Sequence, residues 1–180
     1  MVIESIKHRR SVRKFQEKPI EEEKLLEILE AARLAPSGNN KQPWVFIVIK
    51  NENTRRKIAQ VTGEQLWIAS APVVIVAVAD LCARTDRYEG QYLDEESPQF
   101  DLKRSIRDTA IAVEHILLEA DNQGLGTCWC GAFKQKNIRP VLNIPDDKFV
   151  LAVIPLGYAD EEPGPRPRKN LDTILRFESW

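Results

Sequence analysis

The sequence predicts a three-layer α+β domain, and three observations carry that reading. Apolar, β-branched runs of strand length stand at residues 44–50, 73–79 and 148–159. Amphipathic stretches separate them, and a helix-rich section precedes the first strand, so the order is not the regular alternation of a doubly wound sheet. The chain has 180 residues and 43% hydrophobic content, enough for one core. No repeat or compositional break divides residues 1–180, which therefore read as a single domain.

The first helix is predicted over "PIEEEKLLEILEAARLAP". Pro19 precedes acids in the first turn, where the helix field favours negative charge. Leu25, Ile28, Leu29 and Ala32 recur at helical spacing, and Pro36 ends the run. "PSGNNKQP" is a loop by composition, and Gly38 allows it a positive φ. "WVFIVIK" follows as a strand, "ENTRRKIAQV" as a short surface helix and "QLWIASAP" as a further helical turn. "VVIVAVA" is apolar at every position, the pattern of a strand buried on both faces.

Residues 81–101, with their acids, Tyr88, Tyr92 and Pro98, read as a loop in a lid-like position. From Leu102 to about Gln123 a helical pattern returns. Ile106, Ala110, Val113 and Leu117 form one face, and Ile111, Ile116 and Leu118 widen it. A helix apolar over so much of its surface is central or lies against a partner chain. Gly124 and Gly126 stop it, either as caps or by letting backbone approach a flat ligand. "TCWCGAF" reads as a short strand and turn, "KQKNIRPVLNIP" as a modest helix ended by Pro145, and "KFVLAVIPLGYA" as the third clear strand. The proline-rich tail is expected to run across a surface as far as "LDTILRF".

Several function classes lose support at once. A formal net charge of -1 does not suit a general nucleic-acid partner. "APVVIVAVAD" is too short to span a bilayer, and "MVIESIKHRRSV" lacks the apolar run of a signal peptide, so a cytoplasmic setting is the default expectation. Three cysteines, Cys82, Cys128 and Cys130, do not suit a disulfide framework. With only His8 and His115 available, neither a metal centre nor a hydrolytic triad is expected. No GxGxxG follows a strand and no GxxxxGK[ST] occurs, so nucleotide-binding readings of those two kinds also fail.

The polar segments remain. "RRSVRKF", residues 9–15, sets Arg9, Arg10 and Arg13 beside Ser11. Guanidinium forks and a hydroxyl suit a phosphate. A second basic group, Arg166, Arg168 and Lys169, lies near the other end. The two make one phosphate pocket if they converge and two solvated patches if they do not. In "PSGNNKQPW", Ser37, Asn39, Asn40 and Gln42 could read the polar edge of a planar heterocycle, or serve only as turn formers. Cys128 and Cys130 are available as nucleophiles, but cysteine is equally a small buried residue. The scarcity of acid–base groups suits an enzyme whose bound cofactor carries the reaction.

"RRSVRKF", "APSGNNKQPW", "GLGTCWCGAF" and "IPLGYADEEPGPRPRK", in this order over almost the whole chain, resemble the nitroreductase-like flavoprotein family. The resemblance implies a mixed, mainly antiparallel sheet flanked by helices, in an intertwined homodimer with FMN at the subunit interface. It implies ping-pong electron transfer from NADH or NADPH to a small-molecule acceptor: nitro compounds, quinones or other flavins. Flavin N5 is then the redox centre, and no side chain is assigned as catalytic. Arg9, Arg10 and Ser11 would hold the FMN phosphate or ribityl chain, with Arg168 and Lys169 completing the phosphate site. Arg13 would reach the pyrimidine edge. Pro36, Ser37, Gly38, Asn39 and Gln42 match the loop that approaches the flavin, often from the other subunit. Trp129, Cys130 and Gly131 match the segment beside the ring, with backbone near N5, and Gln65 matches an amide near the flavin.

Two departures from the larger members stand out. Gly131 occupies a place where an acid is common, and the region before the long helix is short. The alternatives within the family are reductive dehalogenation and flavin processing. The alternative outside enzymology is a non-catalytic flavin-binding protein.

Overall fold

A computed structural model describes residues 2–180. The helices are α1 (Glu4–His8), α2 (Glu22–Arg33), α3 (Glu52–Val61), α4 (Phe100–Asn122), α5 (Gln135–Leu142) and α6 (Leu171–Ile174). The strands are β1 (Trp44–Ile49), β2 (Val73–Asp80), β3 (Gly126–Thr127) and β4 (Lys148–Gly157). They form one sheet in the order β1-β2-β4-β3, with every named pair antiparallel. The parallel element that makes the sheet mixed is a single bridge between Ser11 and Thr127 at the β3 edge.

The period-two geometry of β2 divides the core. Val73, Ile75 and Ala77 face α2 and α4, where they join Leu25, Ile28, Val113, Ile116 and Leu117. Val74, Val76 and Val78 face the other way, towards Ile58 of α3 and Ile138 of α5. The expectation of a strand buried on both faces therefore holds along β2. Burying each large aliphatic side chain is worth about 1.5–3 kcal/mol, so the two clusters weld helices to both faces of the sheet.

β4 keeps this division through a bulge. Ala77 pairs with Ala152 but Val78 pairs with Val150, so Leu151 is the extra residue. Where the ladder is disturbed, the buried Gln135 side chain takes over. Its Nε2 donates to the Val150 carbonyl and its Oε1 accepts from the Val150 N–H, both at 2.8 Å.

The long helix α4 is central, with Leu102, Ser105, Thr109, Ala112, Val113, Ile116, Leu117 and Ala120 buried. His115 helps dock it on α2 through a 3.0 Å contact between its Nδ1 and the Ala31 carbonyl. Ile111 stays exposed on the opposite side.

Several expectations need correction. α1 was not predicted, because Ile3 and Ile6 are exposed and leave no inward stripe to detect. "TCWCGAF" contributes only Thr127 to a strand and Cys130 to an isolated bridge with Val153. α5 stops earlier than Pro145, at Asn143 in the left-handed region (φ 53°). Gly38 is not the left-handed residue of its loop; Asn39, Asn40 and Gln42 are, at φ 57°, 52° and 48°. Gly124 does cap α4 (φ 74°), whereas Gly126 lies in β3, where a Cβ would stand 2.8 Å from Val12. Residues 81–97 are pinned rather than lid-like: Asp147 accepts from the Gly90 N–H at 2.9 Å and the Asp146 carbonyl from the Leu93 N–H at 2.9 Å. Among the described residues no helix is long and apolar enough to cross a membrane.

Candidate functional site

The segment Ser11–Gln16 is stitched between two distant parts of the chain. The Val12 N–H donates to the Thr127 carbonyl, the Gln16 N–H to that of Tyr158, and the Asp160 N–H to that of Lys14, each at 2.9 Å. Val12 turns inward and is buried, as is Phe15, while Arg13 and Lys14 are exposed. The same stitching carries the start of the tail alongside, where Glu161 Oε1 accepts from the Arg13 N–H at 2.5 Å.

The two basic groups of the sequence thereby converge. Arg9, Arg10, Ser11, Arg13, Pro163, Gly164, Arg166 and Arg168 line one cavity of about 110 Å³. No carboxylate lines it, and Lys169 lies outside the lining. Few of its donors are committed internally. Arg9 has a loose contact with Glu114 at 3.9 Å, and Arg10 uses one Nη on the carbonyls of Lys7, His8 and Arg9. Arg168 uses one Nη on the Arg166 and Pro167 carbonyls. A guanidinium carries five N–H donors, so most remain available to an oxyanion.

Next to this cavity lies the cysteine pair. Cys128 and Cys130 are both buried. The Cys128 thiol is pulled down to about 7, first by hydrogen bonding from Cys130, against burial, and then by Arg13, the Ser11 hydroxyl and Arg9. Cys130, the donor of that pair, is pushed up by Cys128 and by burial. Both thiols lie close to the cationic group, whose Arg13 favours the thiolate at each.

Beyond Cys130 the chain opens outward. Trp129 and Gly131 are exposed, and a Cβ on Gly131 would meet nothing within 4 Å. The turn that holds Gln65 packs against this segment: a Cβ on Gly63 would stand 3.2 Å from the Ala132 carbonyl oxygen. Gln65 itself donates to the Thr62 carbonyl at 3.0 Å. Two residues on, the Trp67 ring lies 5.8 Å from the Arg13 guanidinium. Arg13, Gln65 and the Trp129–Gly131 segment thus share one neighbourhood.

The remaining expected group stands apart. Pro36, Ser37, Gly38, Asn39 and Gln42 occupy the loop before β1, and none of their hydrogen bonds reaches the basic cavity. Gly38 instead donates to Asp108 of α4 at 3.1 Å, and Asp108 pairs with Arg84. Neither Asp108 nor Arg84 was singled out from the sequence. Asp108 follows Lys103, Arg104 and Arg107 and reads there as a surface helix acid. Glu161, Pro163 and Gly164 were also missed as neighbours of the basic group, since only the stitching reveals them. A larger open groove of about 890 Å³ runs past Phe15, Lys18, Arg55, Arg56 and Pro72 and contains none of the expected site residues.

Known proteins resemble this chain in sequence and fold. The sequence model of the nitroreductase family matches residues 6–158. A Methanothermobacter thermautotrophicus protein, named provisionally as an NADH dehydrogenase/NAD(P)H nitroreductase, is 36% identical over 99% of this chain and 87% of its own. The solved FMN-dependent nitroreductase of Clostridium difficile is 30% identical, covers 98% of each chain and superposes with a TM-score of 0.80. The NADPH:FMN oxidoreductase of Vibrio harveyi, solved with NAD+, is 26% identical with a TM-score of 0.85, over 98% of this chain and 76% of its own. With the fold, the motif order and these likenesses in agreement, the chain belongs to the nitroreductase family.

Proposed function

We propose that this protein is an FMN-dependent oxidoreductase. It takes electrons from NADH or NADPH and passes them to a small-molecule acceptor, a nitro compound, quinone or free flavin, by a ping-pong route. The observation that supports this most is the carboxylate-free cavity built by Arg9, Arg10, Ser11, Arg13, Arg166 and Arg168. Its donor set fits a phosphate monoester, which accepts several charge-assisted bonds. Its size fits only that end of the cofactor, since pockets for whole ligands run to about 300–1,000 Å³. The rest of FMN would lie along Arg13, Gln65 and the exposed Trp129–Gly131 segment.

Bound FMN would supply the redox chemistry, alternately taking up and releasing two electrons. The chain's own groups hold and bias it. Arg13 places positive charge where the pyrimidine edge would become negative, a preorganised electrostatic contribution. The backbone N–H groups of Trp129 and Gly131 would orient the ring, since that of Cys130 already donates to the Val153 carbonyl at 2.9 Å. No side chain is needed as a general base, because solvent can deliver protons to an open site. The acceptor and the nicotinamide would use the same exposed face in turn.

The assembly is proposed to be a homodimer. The Pro36–Gln42 loop lies away from the basic cavity of its own protomer, so it would meet the flavin bound by a second copy. Exposed apolar side chains favour such a partner: Ile111 on α4 and Leu171, Ile174, Phe177 and Trp180 on the tail.

Addition of NADH or NADPH to the purified holoprotein without an acceptor tests the reading. Bleaching of the visible flavin band is expected. A flavin that stays oxidised with both donors would assign a binding protein without turnover, and a flavin-loaded monomer in sedimentation would remove the shared site.

A further inference from the structure

We infer that Asp108 and Arg84 are positioning residues that hold the Pro36–Gln42 loop in its ligand-facing shape. The inference rests on the flavin reading for what the loop faces, and on the geometry for the rest.

The loop is conformationally costly. Asn39, Asn40 and Gln42 all sit in the left-handed region, which side chains with a Cβ rarely adopt. Its internal bonds are few: the Gln42 N–H donates to Ser37 Oγ at 2.9 Å, the Asn40 N–H to the Ser37 carbonyl at 2.9 Å, the Lys41 N–H to the Gly38 carbonyl at 3.4 Å, and Gln42 Nε2 to the Asn40 carbonyl at 3.2 Å. Strain of this kind persists only where surrounding structure over-determines it.

That surrounding structure is a buried ion pair. The Asp108 side chain is 14% exposed and that of Arg84 is 4% exposed. Asp108 Oδ2 serves two partners at once, accepting from the Gly38 N–H at 3.1 Å and pairing with Arg84. Arg84 Nη1 reaches back to the Gly38 carbonyl at 3.5 Å. The Gly38 N–H is therefore held by Asp108, and its carbonyl accepts from the Lys41 N–H at 3.4 Å as well as from Arg84. Gly38 lies directly against the pair: a Cβ there would make van der Waals contact with guanidinium nitrogens of both Arg84 and Arg104, at 3.6 Å.

The far end of the loop is tied to the same helix. The Pro43 carbonyl accepts from the buried Thr109 hydroxyl at 3.3 Å and from the Asp80 N–H at 2.7 Å. Asp108 and Thr109 are adjacent on α4, the helix that carries much of the core. The loop is thus referenced at both ends to the most rigid part of the molecule. That arrangement lets amide side chains at Asn39 and Gln42 meet a ligand without first being ordered.

Two isolated substitutions separate positioning from stability. Asp108→Ala removes the acceptor of the Gly38 N–H and the counter-ion of Arg84, whereas Asp108→Asn keeps an acceptor for that N–H. FMN dissociation constants and the KM and kcat of acceptor reduction are read on folded holoprotein, with the melting temperature alongside. Asp108→Ala should weaken FMN about tenfold or more and raise the acceptor KM more than it lowers kcat, and Asp108→Asn should restore most of the loss. Affinity and KM within about twofold of the parent in folded Asp108→Ala would overturn the assignment. If Asp108→Ala does not fold, Arg84→Gln decides on the same readouts: weakened FMN is expected and unchanged FMN rejects the clamp. A parent protein that binds no FMN would sink the flavin reading instead. Exchange of the Gly38 amide would then test the clamp alone, with fast exchange expected in Asp108→Ala or Arg84→Gln and parental exchange rejecting it.

Discussion

The molecule treats its cations in two opposite ways. Around the start of β4 they are consumed by the fold. Lys148 lies 2.8 Å from Asp80 and 3.3 Å from Asp147, and the Arg139 side chain is 2% exposed, with Nη1 donating to the Asp146 and Lys148 carbonyls at 2.5 and 3.2 Å. Around the end of β4 the arginines at 9, 10, 13, 166 and 168 crowd a carboxylate-free cavity and leave most donors uncommitted. Buried charge is costly unless paired, and here Lys148 is paired with Asp80 and Asp147 while Arg139 has Asp146 at 3.7 Å and two carbonyls. The second concentrates like charge with only the loose Glu114 contact to Arg9 set against it, which lowers stability unless an anion completes it. One end of the sheet spends charge on folding, and the other holds it for a ligand.

The largest expected effect would break or establish that contrast directly. Arg9→Ala combined with Arg168→Ala removes a cation from each side of the cavity. Charge-assisted bonds are worth about 1.5–3 kcal/mol each, so FMN affinity should fall by about a hundredfold or more. The melting temperature of the FMN-free protein should change little, because these side chains do little for the fold. Full FMN retention in the double variant, read by flavin fluorescence after dialysis, would show that the two ends of the chain do not share an anion.

The reverse outcome is expected at the other end of β4. Arg139→Leu leaves the Asp146 and Lys148 carbonyls without their donor and removes the cation lying 4.6 Å from the Tyr92 ring. The cost should be about 2–4 kcal/mol, or about 4–16 °C in the melting temperature. FMN affinity should be unchanged. Thermal denaturation with and without FMN checks both halves, and a stable variant with weakened FMN would erase the distinction between the regions.

What the sequence revealed follows the same physical divide. β1, β2 and β4 were legible because β-branched runs register burial residue by residue, and α4 because its stripe faces the core. α1 was not, since its Ile3 and Ile6 point outward. The motifs exposed the arginines as chemically able to hold an anion, yet not their convergence. Convergence comes from backbone bonds such as Val12 to Thr127 and Asp160 to Lys14, which any side chains would permit. The clamp at Gly38 was equally hidden, because Arg84 and Asp108 find each other only after α4 has packed. The anchoring of residues 81–101 was hidden for a related reason: composition suggested a loop in a lid-like position, but not that Asp147 and the Asp146 carbonyl fasten it to the chain just before β4.

The smallest expected effect concerns Cys130, which lies beside the uncommitted cations but is assigned no chemistry. Cys130→Ala removes one buried atom, so turnover should stay within about twofold of the parent. Its signature should appear in the pH dependence of stability instead. Cys128, held down at about 7 with Cys130 as the first cause, is a group whose folded pKa lies below its unfolded value of about 8.5. It adds stability that is present above that unfolded value and is lost as pH falls through about 7. Cys130 has the opposite sign: its folded pKa is raised, so its proton becomes a liability once pH exceeds the unfolded value. The pair should therefore make the parent more stable between pH of about 7 and about 8.5 and less so above, a rise that is smaller in Cys130→Ala because its first cause is gone. Thermal melts of both proteins across that range check the difference. Complete loss of turnover in Cys130→Ala with FMN still bound would make the dithiol part of the reaction, and the cationic end of the sheet would then hold a reactive thiolate as well as an anion.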